Sequence, residues 1–405
     1  MPRLVADSDM IYLRATPIPR ALESVQQAFS GFYPRNARTA DFPPPTIVTR
    51  SPADEVLYPN DSVCRRFAQL SRAYAQRASE RWNDTEEMAY LNKLIGKWMP
   101  ENTPRVAVDG KPRLSGVMDT INSTLSHGPE TRLPKEFYDK KGRDIIDKIS
   151  VEEWFAGYDE NVEYRTLGIG ALMGDIVSRM MGSAQQKDSV GILEVGGEDG
   201  NLGVGRGGER AIRFAMSGCH DTTLAAVLHS LGANGGEPWP PYTSHIAIEL
   251  FKRRETPRPP VNGVSPPSVS TSAGTLDTKK GWWASLFGSS TPQKTEPSLR
   301  KRVEEMSAME KESLDGYYVR LRYNDKIMQV PACKEAGKHL DGQESFCTLV
   351  SRQQECHQMM ASMLITLQEA FKAVVDKYTP KNWKAECVSN LDRSAIPVEA
   401  SPAGY

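Results

Sequence analysis

Three observations predict an α/β fold carrying a large helical insertion. Residues 10–32 and 211–232 each read as a short apolar strand, a sharp turn and an amphipathic helix. Between them, residues 62–181 are charged, studded with aromatics and helical in their apolar period. Alternating apolar and polar residues over 244–252 and 317–323 then supply further strands. Strands interleaved with helices in this way build a sheet covered by helices.

Composition bounds the function classes. At 405 residues the length allows about two to three domains. A hydrophobic content of 39% with 25% charged residues is that of a soluble globular chain. A net charge of −1 excludes general nucleic-acid binding, which needs a basic surface, so phosphate chemistry must rest on a local group of arginines. No apolar run approaches the ~18 residues of a membrane span. The first ten residues are too polar for a signal peptide, which favours an intracellular or mitochondrial location. Six dispersed cysteines lack metal-ligand spacing, so no metal is expected, and no cofactor motif stands out. Cys333 and Cys347 pair across a loop or remain thiols; spacing allows both. Asn60, Asn83 and Asn122 head glycosylation tripeptides at close to chance frequency.

In chain order, residues 10–14 form the first strand, and Thr16 reads as a helix N-cap with Pro17 at the first helical position. Leu22, Val25, Phe29 and Phe32 line one helical face, and Gly31 marks the end. Arg14 stands at the strand tip, where a guanidinium is placed to clamp an oxyanion, and Arg20 lies in the first helical turn. The alternative for Arg14 is a pair with a nearby carboxylate. Residues 44–49 are a further extended piece. Residues 164–173 form a helix of small residues, and His127 lies in a loop. The glycine-rich run at 203–208 spells GxGxxG, but a polar loop precedes it and a strand follows, so it is a loop and not a dinucleotide site.

The second strand-turn-helix unit places His220 and Asp221 side by side at a strand tip. Leu224, Val227, Leu228 and Leu231 fall at i, i+3, i+4 and i+7, and Gly232 fits a left-handed C-cap. A helix N-terminus beside an imidazole and a carboxyl suits binding an anion and protonating a leaving group. Plain capping of the turn by His220 and of the helix by Asp221 explains the same residues equally well.

Downstream, residues 238–242 form a rigid Pro-rich turn, and residues 317–323 and 327–330 form a hairpin with Asn324-Asp325 at the turn. Residues 254–298 are rich in Pro, Ser, Thr and Gly and should be disordered. Within them Trp282, Trp283, Leu286 and Phe287 follow a basic pair and suit peripheral membrane contact. Met360, Leu364, Leu367, Phe371, Val374 and Tyr378 give a closing helix its apolar seam.

Together these segments resemble the histidine acid phosphatases. Residues 12–20, Tyr-Leu-Arg-Ala-Thr-Pro-Ile-Pro-Arg, resemble the family's second arginine motif, and residues 217–223, Ser-Gly-Cys-His-Asp-Thr-Thr, its His-Asp motif. Residues 55–60 and 239–251 are similar to the lysophosphatidic acid phosphatase branch. The resemblance implies a phosphoglycerate-mutase-like three-layer sandwich that hydrolyses phosphate monoesters, lysophospholipids among them, through a phosphohistidine. It implies that Arg14 binds phosphoryl oxygens, His220 stabilises developing charge and Asp221 protonates the leaving alcohol. A phytase-type activity is disfavoured, because phytases usually carry Asn where Thr223 stands here.

The chain also departs from that family. The Arg-His-Gly motif that supplies the nucleophile and ends the family's first strand is absent from the sequence, so this chain is expected to be inactive as it stands. A pseudoenzyme that binds a phosphorylated ligand is the alternative. The expected organisation is a core from residues 1–59, 166–253 and 312–380, a helical cap at 60–165, a disordered insert at 254–311 and a tail at 381–405.

Overall fold

The computed structural model describes residues 10–39, 42, 46–185, 193–195, 202–204, 212–254, 301–350 and 371–405. Strand β1 (Ile11–Ala15) leads into helix α1 (Pro19–Phe32), and β2 (Ile47–Val48) follows. Helices α2 (Arg65–Trp82), α3 (Glu86–Ile95), α4 (Leu114–His127), α5 (Lys140–Glu160), α6 (Val162–Arg165) and α7 (Ala171–Gln185) come next. A small hairpin of β3 (Leu193–Val195) and β4 (Leu202–Val204) precedes β5 (Phe214–Gly218) and α8 (Asp221–Ser230). Then come β6 (Ile246–Lys252), α9 (Ala308–Glu312), β7 (Tyr317–Tyr323), β8 (Lys326–Met328), β9 (His339–Leu340), β10 (Gln343–Thr348), α10 (Phe371–Asp376) and α11 (Trp383–Glu386).

The strands form two principal sheets. One is parallel, in the order β2-β1-β5, with Arg14 registered on Ser217 and Ala15 on Gly218. The other is antiparallel, in the order β6-β7-β10-β9, with β8 on β7. Among the described residues β5 has no partner beyond β1, and β6 none beyond β7. Both strands line one cavity of about 3230 Å³, from Ile212 to Gly218 on one side and from Ser244 to Lys252 on the other. Trp239, seven residues before β6, donates its indole N–H to Asp221, three residues after β5, and so links the two sides of the cavity.

The core is divided accordingly. Ile11, Leu13, Phe29 and Tyr33 form a small cluster under the parallel sheet. The main cluster lies on the other side, where α2, α7, α8 and α10 pack with the antiparallel sheet. A third cluster joins α3, α4 and α5. All three clusters reach the cleft: Phe214 and Met216 of the first, Leu57 and Val227 of the main one, and Met118 and Ile121 of the third line it.

Several local expectations are corrected. Helix α1 starts at Pro19 after Ile18, not at Pro17 after Thr16. Thr16 is held elsewhere: its N–H donates to Gly218 O at 3.1 Å, and its hydroxyl sits 3.2 Å from His220 Nε2. The seam of α1 runs through Ala21, Val25 and Phe29, whereas Phe32 is 52% exposed and stacks on Phe214 at 4.5 Å. Residues 164–173 are not one regular helix, since a π-helical turn at Thr166–Gly170 separates α6 from α7. Gly170 packs there so closely that a Cβ would strike the carbonyl of Tyr378. In the glycine-rich run, Leu202–Val204 is a strand paired with Leu193–Val195, not a loop; residues 205–211 lie outside the described residues.

The expected hairpin is present, with Asn324 at φ 51° in its turn, and Gly232 follows α8 at φ 61°. His127 ends α4. Of the closing helix, Phe371, Val374 and Tyr378 are buried, while Met360, Leu364 and Leu367 lie outside the described residues. So do Trp282, Trp283, Leu286 and Phe287, together with most of the expected disordered insert. Cys333 and Cys347 form a disulfide, and a second one, unforeseen from spacing, joins Cys64 to Cys387. Residues 381–405 are tied into the fold, for Arg66 donates to the carbonyls of Arg393 and Ser394 at 2.9 Å. Asn60 is buried at 1% exposure, which rules out a glycan there in the folded chain. Among the described residues no helix is long and apolar enough to cross a membrane.

Candidate active site

The site is built from two strand-helix corners that parallel pairing brings together. Strand β5 ends at Gly218, where a Cβ would lie 2.5 Å from Ala21 O, so the glycine lets α1 approach. His220 follows as the N-cap residue of α8, and its N–H donates to Thr223 Oγ1 at 3.3 Å. The Thr223 hydroxyl in turn donates to Leu57 O, which fixes the corner against the segment leading to α2. The His220 ring meets Tyr58 edge-on, with centroids 5.5 Å apart. Asp221 opens α8 in the exposed mouth of the cavity; its Oδ1 accepts from Thr222 N–H and its Oδ2 from Trp239 Nε1–H, both at 2.7 Å.

The two arginines of the first unit part company. Arg14 is 1% exposed and points into the protein, donating to Glu55 Oε1 at 2.7 Å and pairing with Asp175 at 3.8 Å. It does not line the cavity; Arg20 does, together with His220 and Asp221. Sequence reasoning singled out Arg14 for its place at the strand tip and passed over Arg20. The available signal was helical position: a residue in the first turn of α1 stands beside the same sheet edge and reaches outward.

Electrostatics link Arg20 to the site. Burial holds the His220 imidazole below its ordinary value, and the nearby Arg20 charge lowers it further, while Asp221 and Glu55 oppose this. The folded protein therefore takes up this proton at lower pH than the unfolded chain does. Between the two values stability rises with pH, and it is lost as pH falls through that window. Arg20→Ala should raise the His220 value, read from imidazole NMR shifts over an acid titration; an unchanged or lower value would show that the guanidinium does not act on the ring.

An imidazole, a carboxyl and an outward arginine at the carboxyl ends of parallel strands make an anion-handling site with a proton donor. Among the described residues no group of three or more metal-ligating side chains is assembled. His245 also lines the cavity, at the start of β6. These features define the class, an α/β protein whose candidate site lies at a sheet's carboxyl edge.

Comparison with known proteins narrows this class. The sequence profile described as the histidine phosphatase superfamily (branch 2) matches residues 2–262. The chain belongs to that family. It is 31% identical over 339 residues to a probable acid phosphatase of Schizosaccharomyces pombe, across 84% of this chain and 64% of that protein. It is 21% identical over 248 residues to lysophosphatidic acid phosphatase type 6 of Bos taurus, across 61% of this chain and 49% of that one. The chain thus spans less than two thirds of the length of these curated relatives.

Proposed function

We propose that this chain carries the substrate-binding and proton-donating half of an acid phosphatase that hydrolyses phosphate monoesters. The observation that carries the reading is the meeting of His220, Asp221 and Arg20 at one end of the β5–β6 cavity. In this reading Arg20 binds phosphoryl oxygens and His220 stabilises the charge that builds on them. Asp221 gives its proton to the leaving oxygen as the phosphorus–oxygen ester bond breaks. Arg14 acts from behind by holding β1 to the Glu55 segment. The helical segment 60–165 caps the site.

Phosphoryl transfer also needs an in-line nucleophile. The Arg-His-Gly motif of the family is absent from this sequence, and we assign its strand to the cleft that β5 and β6 line. A strand there, parallel to β5, would deliver its carboxyl end to His220 and Asp221. We therefore assign catalysis to a longer form bearing that strand, and phosphate binding without turnover to the chain alone. Lysophospholipids are the proposed substrates: Met118, Ile121 and Leu125 of α4 give the cavity an apolar wall for an acyl chain. One relative's name points the same way.

Calorimetry with inorganic phosphate tests the binding half. Phosphate should bind, and Arg20→Ala should weaken it by about tenfold or more, the worth of a charge-assisted contact. Absence of binding, or binding indifferent to Arg20, would remove the phosphate site.

A further inference from the structure

Trp239 is placed unlike any other side chain near the site. Its indole N–H donates to Asp221 Oδ2 at 2.7 Å, and its backbone N–H donates to Asp147 Oδ1 of α5 at 3.1 Å. Its ring stands edge-on to Trp154 at 5.8 Å and packs on Phe155 at 4.9 Å. Trp239 therefore touches the main core cluster, the cluster of α3–α5 and the carboxyl of Asp221 at once. Pro238, Pro240 and Pro241 flank it and restrict the backbone that carries it.

From this geometry we infer that Trp239 is the positioning residue for Asp221, fixing its carboxyl rotamer and coupling it to the helical layer above the cleft. The inference rests on the proton-donor role given to Asp221 above. Asp221 lies at the exposed mouth of the cavity, where a short carboxyl side chain would otherwise sample several rotamers. One oxygen is held by the first-turn amide of its own helix and the other by the indole, so the carboxyl plane is set from both sides. Each oxygen keeps a second lone pair able to carry the proton. An indole N–H is a donor only, so it orients the carboxyl without competing for the proton that Asp221 delivers. A tyrosine or histidine at this place would accept as well as donate. The anchor reaches into α5 through Asp147, Trp154 and Phe155, so a shift of that helix moves the proton donor.

The test uses the whole chain, labelled on aspartate and tryptophan, and Trp239→Phe, which keeps the ring packing and removes the N–H. In the unsubstituted chain the Asp221 side-chain couplings should report one rotamer. The Trp239 indole N–H should exchange about tenfold or more slowly than that of the exposed Trp98, as expected for a charge-assisted hydrogen bond. Trp239→Phe should average the Asp221 couplings while leaving the affinity for inorganic phosphate unchanged. An unaltered Asp221 rotamer in that variant, or an indole that exchanges as fast as Trp98, overturns the inference. A variant that loses phosphate affinity and rotamer order together assigns Trp239 a merely structural role and also overturns it. Failure of phosphate binding in the unsubstituted chain counts against the phosphatase reading alone, since the rotamer measurement needs no ligand. In a form that turns over, Trp239→Phe should slow glycerol phosphate by about tenfold and para-nitrophenyl phosphate by less than about twofold, because only the alkoxide needs the proton. Equal losses on both esters overturn the inference.

Discussion

Arg14→Ala should cost about 3–5 kcal/mol of folding stability, the loss expected when one partner leaves a buried charge cluster. Arg14, Glu55 and Asp175 are all 2% exposed or less, and Arg14 is the group that faces both carboxylates. Glu55 Oε1 would keep the N–H groups of Val56 and Leu57, at 2.8 and 2.7 Å, and Asp175 would keep Arg179 at 3.1 Å. Glu55 would lose the cation that offsets its burial, while Asp175 would keep Arg179 and lose only its second one. A protein stable by only about 5–15 kcal/mol would then be close to unfolding. Urea denaturation followed by far-ultraviolet circular dichroism reads the effect. A loss under about 1 kcal/mol would show that water reaches the cluster and that Arg14 is not a core element. The contrast with Arg20 is instructive: Arg20→Ala should weaken phosphate binding and leave stability nearly unchanged, because Arg20 is exposed.

Breaking the Cys64–Cys387 disulfide should destabilise the chain by about 2–5 kcal/mol. The bond spans 323 residues and ties the segment after α11 to the residue before α2. Long closed loops lose the most entropy in the unfolded state, so this bond should outweigh Cys333–Cys347, which spans 14. The native contacts it supports are specific. Arg66 binds two carbonyls of the segment, and Arg165 donates to Ser401 O at 2.9 Å. Cys64→Ser with Cys387→Ser should therefore lower the urea midpoint and speed amide exchange over residues 381–405 before the rest of the chain. A midpoint unchanged in the paired variant would show that the arginine contacts alone hold the segment.

What was legible in the sequence was local. Apolar periodicity placed both strand-helix corners, and the neighbouring positions of His220 and Asp221 needed no tertiary information. The helical character of α2–α5 was equally plain. What escaped was set by contacts between distant residues. Arg14 and Glu55 are 41 positions apart, so no periodic pattern could show that the strand-tip arginine turns inward. The N-cap at Thr16 failed because propensity at that position was overridden by a contact to His220, 204 residues away. Trp239 read as part of a rigid turn; that its indole meets Asp221 depends on how β6 enters the second sheet. The Cys64–Cys387 bond joins segments that no local rule relates. The cleft is a property of strand order, which the sequence expresses only through the family resemblance.

The most direct test of the phosphatase reading is glycerol phosphate hydrolysis at acidic pH, since an alkoxide leaving group needs the proton. It compares this chain, a longer form with an Arg-His-Gly strand ahead of residue 1, and Asp221→Asn in each. The expected result is binding without turnover for this chain, and turnover by the longer form that Asp221→Asn lowers by about 10²-fold or more. Robust turnover by this chain alone would contradict the missing nucleophile, and its loss in His245→Ala would place the nucleophile on β6's side of the cleft. Turnover in either form that survives Asp221→Asn would contradict the proton-donor role and the site built around it.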